Sequence, residues 1–78
     1  MNKTEKLIYN WIKKKEKNLK INQNLIKEKI LDSFDMMELI IFCEKELKIK
    51  FKEKDLIDKN FINIQKIALI ISSYKKNK

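Results

Sequence analysis

The chain has 78 residues, 19 basic and 11 acidic, for a formal net charge of +8, and it contains no histidine, glycine or proline and a single cysteine. That length supports one small domain over residues 1–78, with a compact core and no room for a second domain. A lone Cys43 forms no internal disulfide, and without histidine the usual zinc sites are excluded. No uninterrupted apolar run exceeds five residues, as in Leu39–Cys43 and Ile67–Ile71, so neither a membrane span nor a signal-peptide core is expected and the chain reads as cytoplasmic. Without glycine, tight turns with positive φ and glycine-rich phosphate loops are not expected. Helices joined by modest loops, an all-α fold, are the natural architecture.

Taken in chain order, Thr4 is a candidate cap for a first helix reaching about Asn18, with Leu7, Ile8, Trp11 and Ile12 on one face. Trp11 in that stripe reads as a core anchor, and Lys13–Lys17 as a solvated end. Lys20–Leu31 is a connection too long to be structureless, in which Leu25, Ile26, Ile30 and Leu31 can plug the core. A second helix is expected from Ser33 to about Lys48. Counting 100° per residue gathers Met36, Leu39, Ile40, Cys43 and Leu47 on a buried stripe and sends Phe34, Met37 and Ile41 to the opposite side. A short third helix is expected near Glu53–Asp58, with Leu56 and Ile57 inward. A last one runs from Asn63 to about Lys75, with Ile64, Ile67, Ala68, Ile71 and Tyr74 at core spacing, and Lys75–Lys78 form a frayed tail.

The chemistry concentrates at Asp32-Ser33-Phe34-Asp35-Met36-Met37-Glu38-Leu39. Asp32 is a strong N-cap, which puts Ser33 at the first helical position, where free backbone N–H groups and the helix dipole favour an anion. Read by itself, such a pair is a common way to begin a helix.

With its surroundings it resembles the phosphopantetheine-attachment motif of acyl carrier proteins and related aminoacyl and peptidyl carriers, D-S-(L/F/M)-D followed by E-L. The resemblance runs from about Glu28 to about Ile71 and includes Phe61, Asn63 and Ile64, similar to the aromatic, cap and aliphatic residues that open the family's final helix. Two features depart from the family: Lys29-Ile30-Leu31 stands where many members have a glycine before the D-S pair, and the chain is basic where most are acidic. The resemblance implies a four-helix bundle of the acyl carrier protein type, with three longer helices and a short third. It also implies a chain that is not itself an enzyme, with Ser33 carrying a covalent 4′-phosphopantetheine taken from coenzyme A. The implied partners are a phosphopantetheinyl transferase, an acyl- or aminoacyl-activating ligase and downstream transferase or synthase enzymes, all meeting a monomer.

Charge distribution adds a docking surface to that expectation. From Asp32 to Leu47 five acids face Lys45 alone, a local net of −4 in a chain of +8. Asp35, Glu38 and Glu44 are assigned to electrostatic approach, and the outward Phe34, Met37 and Ile41 to contact. The plainer reading of the same acids is a solvated helix face. Cys43, on the buried stripe and without a histidine partner, reads as packing. A small basic helical module that binds nucleic acid is the alternative raised by the charge, but specific binding is not expected without arginine for guanine readout or aromatics alternating with the lysines. The bulk of Trp11, Phe42, Phe51 and Phe61 leads to the expectation of a filled interior and a small cargo.

Overall fold

The computed structural model describes residues 1–76. They form three α-helices, α1 (Lys3–Lys13), α2 (Ser33–Leu47) and α3 (Ile64–Lys76), with 3₁₀ turns at Glu53–Asp55 and Asp58–Phe61 between α2 and α3. Of the tail expected to fray over Lys75–Lys78, Lys75 and Lys76 instead continue α3, and residues 77–78 lie outside the described residues. Among the described residues there is no strand, and no helix is long and apolar enough to cross a membrane.

α1 starts two residues earlier than a Thr4 cap would allow. Asn2 is the cap: its Oδ1 accepts the Glu5 N–H at 2.8 Å while the Glu5 carboxylate accepts the Asn2 N–H at 2.8 Å. This reciprocal pair satisfies donors in both directions, which a threonine followed by Leu7 at the third helical position could not do. The helix also stops at Lys13 rather than near Asn18. Beyond Ile12 the apolar period ends, and the chain turns so that Leu19 is buried, with the Tyr9 hydroxyl donating to the Leu19 carbonyl at 3.2 Å.

The connection from 14 to 32 is a succession of turns. Asn24 Oδ1 accepts from the N–H groups of Ile26 and Lys27. The peptide units of Leu25 then link three places: its N–H donates to the Ile62 carbonyl at 2.6 Å, and its carbonyl accepts from Ile30 and Leu31. Leu25 and Leu31 are buried, and Ile26 and Ile30 pack at the core margin.

One core unites the elements. Ile8 and Ile12 from α1, Leu39 and Cys43 from α2, Phe51 and Phe61 from the segment after α2, and Ile64, Ile67, Ala68 and Ile71 from α3 are all buried in a single cluster. α1 and α3 make the close helix–helix approach. Burial pushes the Cys43 thiol up to about 12, with the neighbouring Glu44 charge adding to the shift, so at neutral pH it is a packed, protonated group. Trp11 lies half-buried against Phe42, ring centroids 5.8 Å apart.

Two expectations about the segment before α3 are corrected. In place of one short helix over Glu53–Asp58 there are two 3₁₀ turns, and Leu56 and Ile57 between them are 41% and 43% exposed rather than inward. Phe51 and Phe61, their centroids 5.8 Å apart, take the core space that those two residues were expected to fill. The segment is held to α3 by Tyr74, whose ring meets Phe51 edge-on and whose hydroxyl donates to Asp55 at 2.6 Å and accepts from the Lys52 N–H at 3.1 Å.

Positive φ is not avoided either: Lys29 (φ 56°) and Lys48 (φ 54°) are left-handed. Lys48 is the C-cap of α2, the place where a helix ordinarily turns off through glycine. The geometry is set by the need to turn the chain back toward Phe51, and with no glycine in the sequence a Cβ-bearing residue must adopt it. Lys48→Gly is therefore expected to stabilise the protein by about 0.5–1 kcal/mol despite the greater freedom it gives the unfolded chain. Urea unfolding of the two proteins checks this, and an equal or lower midpoint for the glycine variant contradicts it.

Candidate functional site

The site begins with how α2 begins. Asp32 is extended (φ −93°, ψ −176°), its carboxylate accepts the Asp35 N–H at 2.8 Å, and the Asp35 carboxylate accepts the Asp32 N–H at 3.2 Å. The Asp32 carbonyl takes the Met36 N–H at 2.9 Å. Ser33 is thus the first helical residue and is exposed. The N–H groups of Ser33 and Phe34 have no protein acceptor among the described residues, which suits this end of the helix to an anionic substituent on Ser33 Oγ.

Around Ser33 the outward face of α2 is apolar. Phe34 is 64% exposed, and Met37 and Ile41 are each 57% exposed. Ser33 also borders a groove of about 370 Å³ whose α2 wall includes Met36, Met37, Ile40 and Ile41 and whose other wall is Leu56, Ile57 and Phe61. Leu56 and Ile57 are the site residues that sequence reasoning missed. A helical period assigned over six residues gave them an inward face, and no signal in the sequence marked them as a groove wall.

The acids do not act as one island. Lys15, just beyond α1, places its Nζ 3.0 Å from Asp35 Oδ1 and 3.8 Å from Glu38 Oε1, and 5.4 Å from the centre of the Trp11 ring. Lys15 is exposed, as expected for the Lys13–Lys17 end, but its ammonium is paired with carboxylates of α2. Glu44 is set apart, about 16 Å along the helix from Ser33. Its carboxylate accepts the Phe51 N–H at 3.0 Å, holding the return of the chain after Lys48. Ser33, Phe34 and Met37 lie in the first turns of α2 with Ile41 further along the same helix, Asp35 and Glu38 share a lysine beside them, and Glu44 serves a backbone bond elsewhere.

The hydrogen bond from Lys15, then that from the Asp32 N–H, hold the Asp35 carboxyl below its ordinary value, and Asp35 in turn raises Lys15. A carboxyl depressed by folding stabilises the fold when ionised. That contribution is present above the unfolded value and is lost as the pH falls through the folded one. Lys15→Gln is expected to move the Asp35 midpoint upward while leaving it below the ordinary value of 3.8, because the Asp32 N–H remains. A carboxyl ¹³C titration of both proteins reads this directly, and an unmoved midpoint contradicts it.

Exposure also sorts the apolar residues by their expected cost of removal. Met37→Ser with Ile41→Ser is expected to change stability by less than about 1 kcal/mol, whereas Leu39→Ala, at a fully buried position on the same helix, is expected to cost about 2–5 kcal/mol. Thermal or urea unfolding distinguishes them, and a large loss in the serine double variant would show that Met37 and Ile41 support the core.

Comparison with protein-family models and with curated proteins finds no match to this chain in either.

Proposed function

We propose that this chain is a carrier protein of the acyl carrier protein type, with Ser33 as the attachment point for 4′-phosphopantetheine. The observation that carries the reading is an exposed serine hydroxyl on the first residue of α2, behind a two-way capping box and at the mouth of an apolar groove. The D-S-F-D-M-M-E-L motif supplies the same assignment from the residues. In this reading the two 3₁₀ turns between α2 and α3 stand where a four-helix carrier has its short third helix.

Ser33 Oγ is the nucleophile in a reaction run by a separate transferase. A bond forms between that oxygen and the phosphorus of the pantetheine arm of coenzyme A, the bond to the nucleotide's phosphate breaks, and the hydroxyl proton passes to a base on the transferase. When bound, the arm supplies a thiol that holds a cargo as a thioester. The chain's own residues do the rest. The unbonded N–H groups of Ser33 and Phe34, at the positive end of α2, favour the phosphodiester oxygens. Asp32 and Asp35 fix the backbone that presents them. Phe34, Met37 and Ile41 offer contact area to partner enzymes, while Asp35 and Glu38 provide charge for their approach.

Glu44 keeps a smaller part in this proposal, because the Phe51 N–H engages its carboxylate. The partners are those the resemblance implies: a transferase, an acyl- or aminoacyl-activating ligase, and downstream transferase or synthase enzymes, all meeting a monomer in the cytoplasm. Delivery by a tether raises the effective concentration of cargo at each of them. Phe51 and Phe61 fill the centre, so a small cargo, or one lying along the surface groove, fits this chain better than a long chain threaded through the core.

Intact-mass measurement after co-expression with a promiscuous phosphopantetheinyl transferase tests the reading. The expected outcome is a gain of one phosphopantetheinyl group on the Ser33 peptide and complete loss of that gain in Ser33→Ala, with helical content unchanged. Modification at another residue, or none with several transferases, overturns the proposal.

A further inference from the structure

Counted along the chain, the start of α2 is strongly acidic; in three dimensions a cation from another element sits among those acids. Lys15 lies 3.0 Å from Asp35 and 3.8 Å from Glu38, and the charge of Asp32 also acts on it. Its place is fixed from two directions. The Lys15 N–H donates to the Ile12 carbonyl at 2.8 Å, which keeps the backbone in the last turn beyond α1. The ammonium also lies over the Trp11 ring, and Trp11 packs on Phe42 of α2, so the aromatic pair that joins the two helices forms the floor beneath the cation.

An exposed ion pair of this kind contributes little to folding. Its effect on an approaching partner is different, because that effect depends on where the charge stands and not on how tightly the pair is bound. Asp32, Asp35 and Glu38 present three negative charges beside Phe34 and Met37, and Lys15 cancels one of them at close range.

We propose that Lys15 is an internal counter-ion that sets how strongly the Ser33 end of α2 attracts a cationic, amphipathic partner surface. The partner chemistry follows from complementarity: apolar side chains to meet Phe34, Met37 and Ile41, and basic groups to meet the carboxylates that Lys15 leaves uncancelled. With Lys15 in place the face favours apolar contact over charge. Without it, the same face becomes a stronger receptor for basic surfaces. The inference rests on the carrier reading for the biological identity of the partner, but its test does not depend on modification of Ser33.

The test uses the full chain, labelled with ¹⁵N, and a helical peptide bearing lysine and leucine along one face as the probe. Peptide binding is followed by amide shifts in the wild type, Lys15→Gln, Lys15→Arg and Lys17→Gln, the last removing the same charge at a neighbouring exposed position. For a partner cation roughly 8–10 Å from Lys15, removing the repulsion changes binding about two- to threefold at 10 mM ionic strength and very little at 0.5 M salt. The expected result is a gain of that size for Lys15→Gln alone, with shifts centred on residues 33–41, a steeper salt dependence than the wild type, and wild-type behaviour in Lys15→Arg.

Equal gains in Lys15→Gln and Lys17→Gln would show that only total charge matters and would overturn the proposal. Shifts centred away from α2 would overturn it as well. A chain that shows the Lys15-dependent gain but never accepts a phosphopantetheinyl group refutes the carrier reading and leaves the counter-ion standing. A chain that is modified on Ser33 but shows no gain refutes the counter-ion alone.

Discussion

The backbone around Leu25 is the point on which the rest of the arrangement depends. Its N–H reaches across to the Ile62 carbonyl at 2.6 Å, while its carbonyl receives the N–H groups of Ile30 and Leu31. The first bond fastens the long connection to the approach of α3, and the other two fold the following residues back so that Leu31 is buried and Asp32 emerges extended. Because the Leu25 side chain is fully buried, the bonds and the apolar anchor act at one place. The start of α2, and with it the position of Ser33, is therefore determined by a residue eight positions earlier.

Local signals in the sequence were sufficient where one capping residue stood without a competitor and where the helical period was clear. Asp32 and Asp35 bond within four residues, so the start of α2 was legible, as was the opening of α3 at Asn63, whose Oδ1 accepts the Lys66 N–H at 2.8 Å. The division of α2 into inner and outer faces followed from the helical period, and Leu39 and Cys43 are buried while Phe34, Met37 and Ile41 are exposed. Both ends of α1 were misjudged for different reasons. At its start two capping signals, Asn2 and Thr4, overlapped, and the one with Glu5 three residues later prevailed. At its end the outcome depended on Leu19 finding the core and Tyr9 finding its carbonyl, a relation between residues ten apart.

What was illegible at the candidate site is likewise long-range. Lys15 belongs to a lysine run that carries no mark of its partner, and only the turn after α1 and the Trp11–Phe42 contact bring it to Asp35. Glu44 looked like one acid among several until the chain returned Phe51 to it. Leu56 and Ile57 had an apolar character that a short helix would have turned inward; the 3₁₀ turns on either side instead leave them as a groove wall. In each case the deciding partner lay in another element.

The Tyr74 hydroxyl, held between Asp55 and the Lys52 N–H, has a mechanical meaning for that wall. Asp55 is gripped from α3 through its carboxylate, and its carbonyl is gripped from the other side by the Asn60 amide at 2.8 Å. Leu56 and Ile57 thus form a short arch between two fixed supports, one of which belongs to the last turns of α3. The far abutment of the opening beside Ser33 is tied down by a tyrosine that lines no part of it.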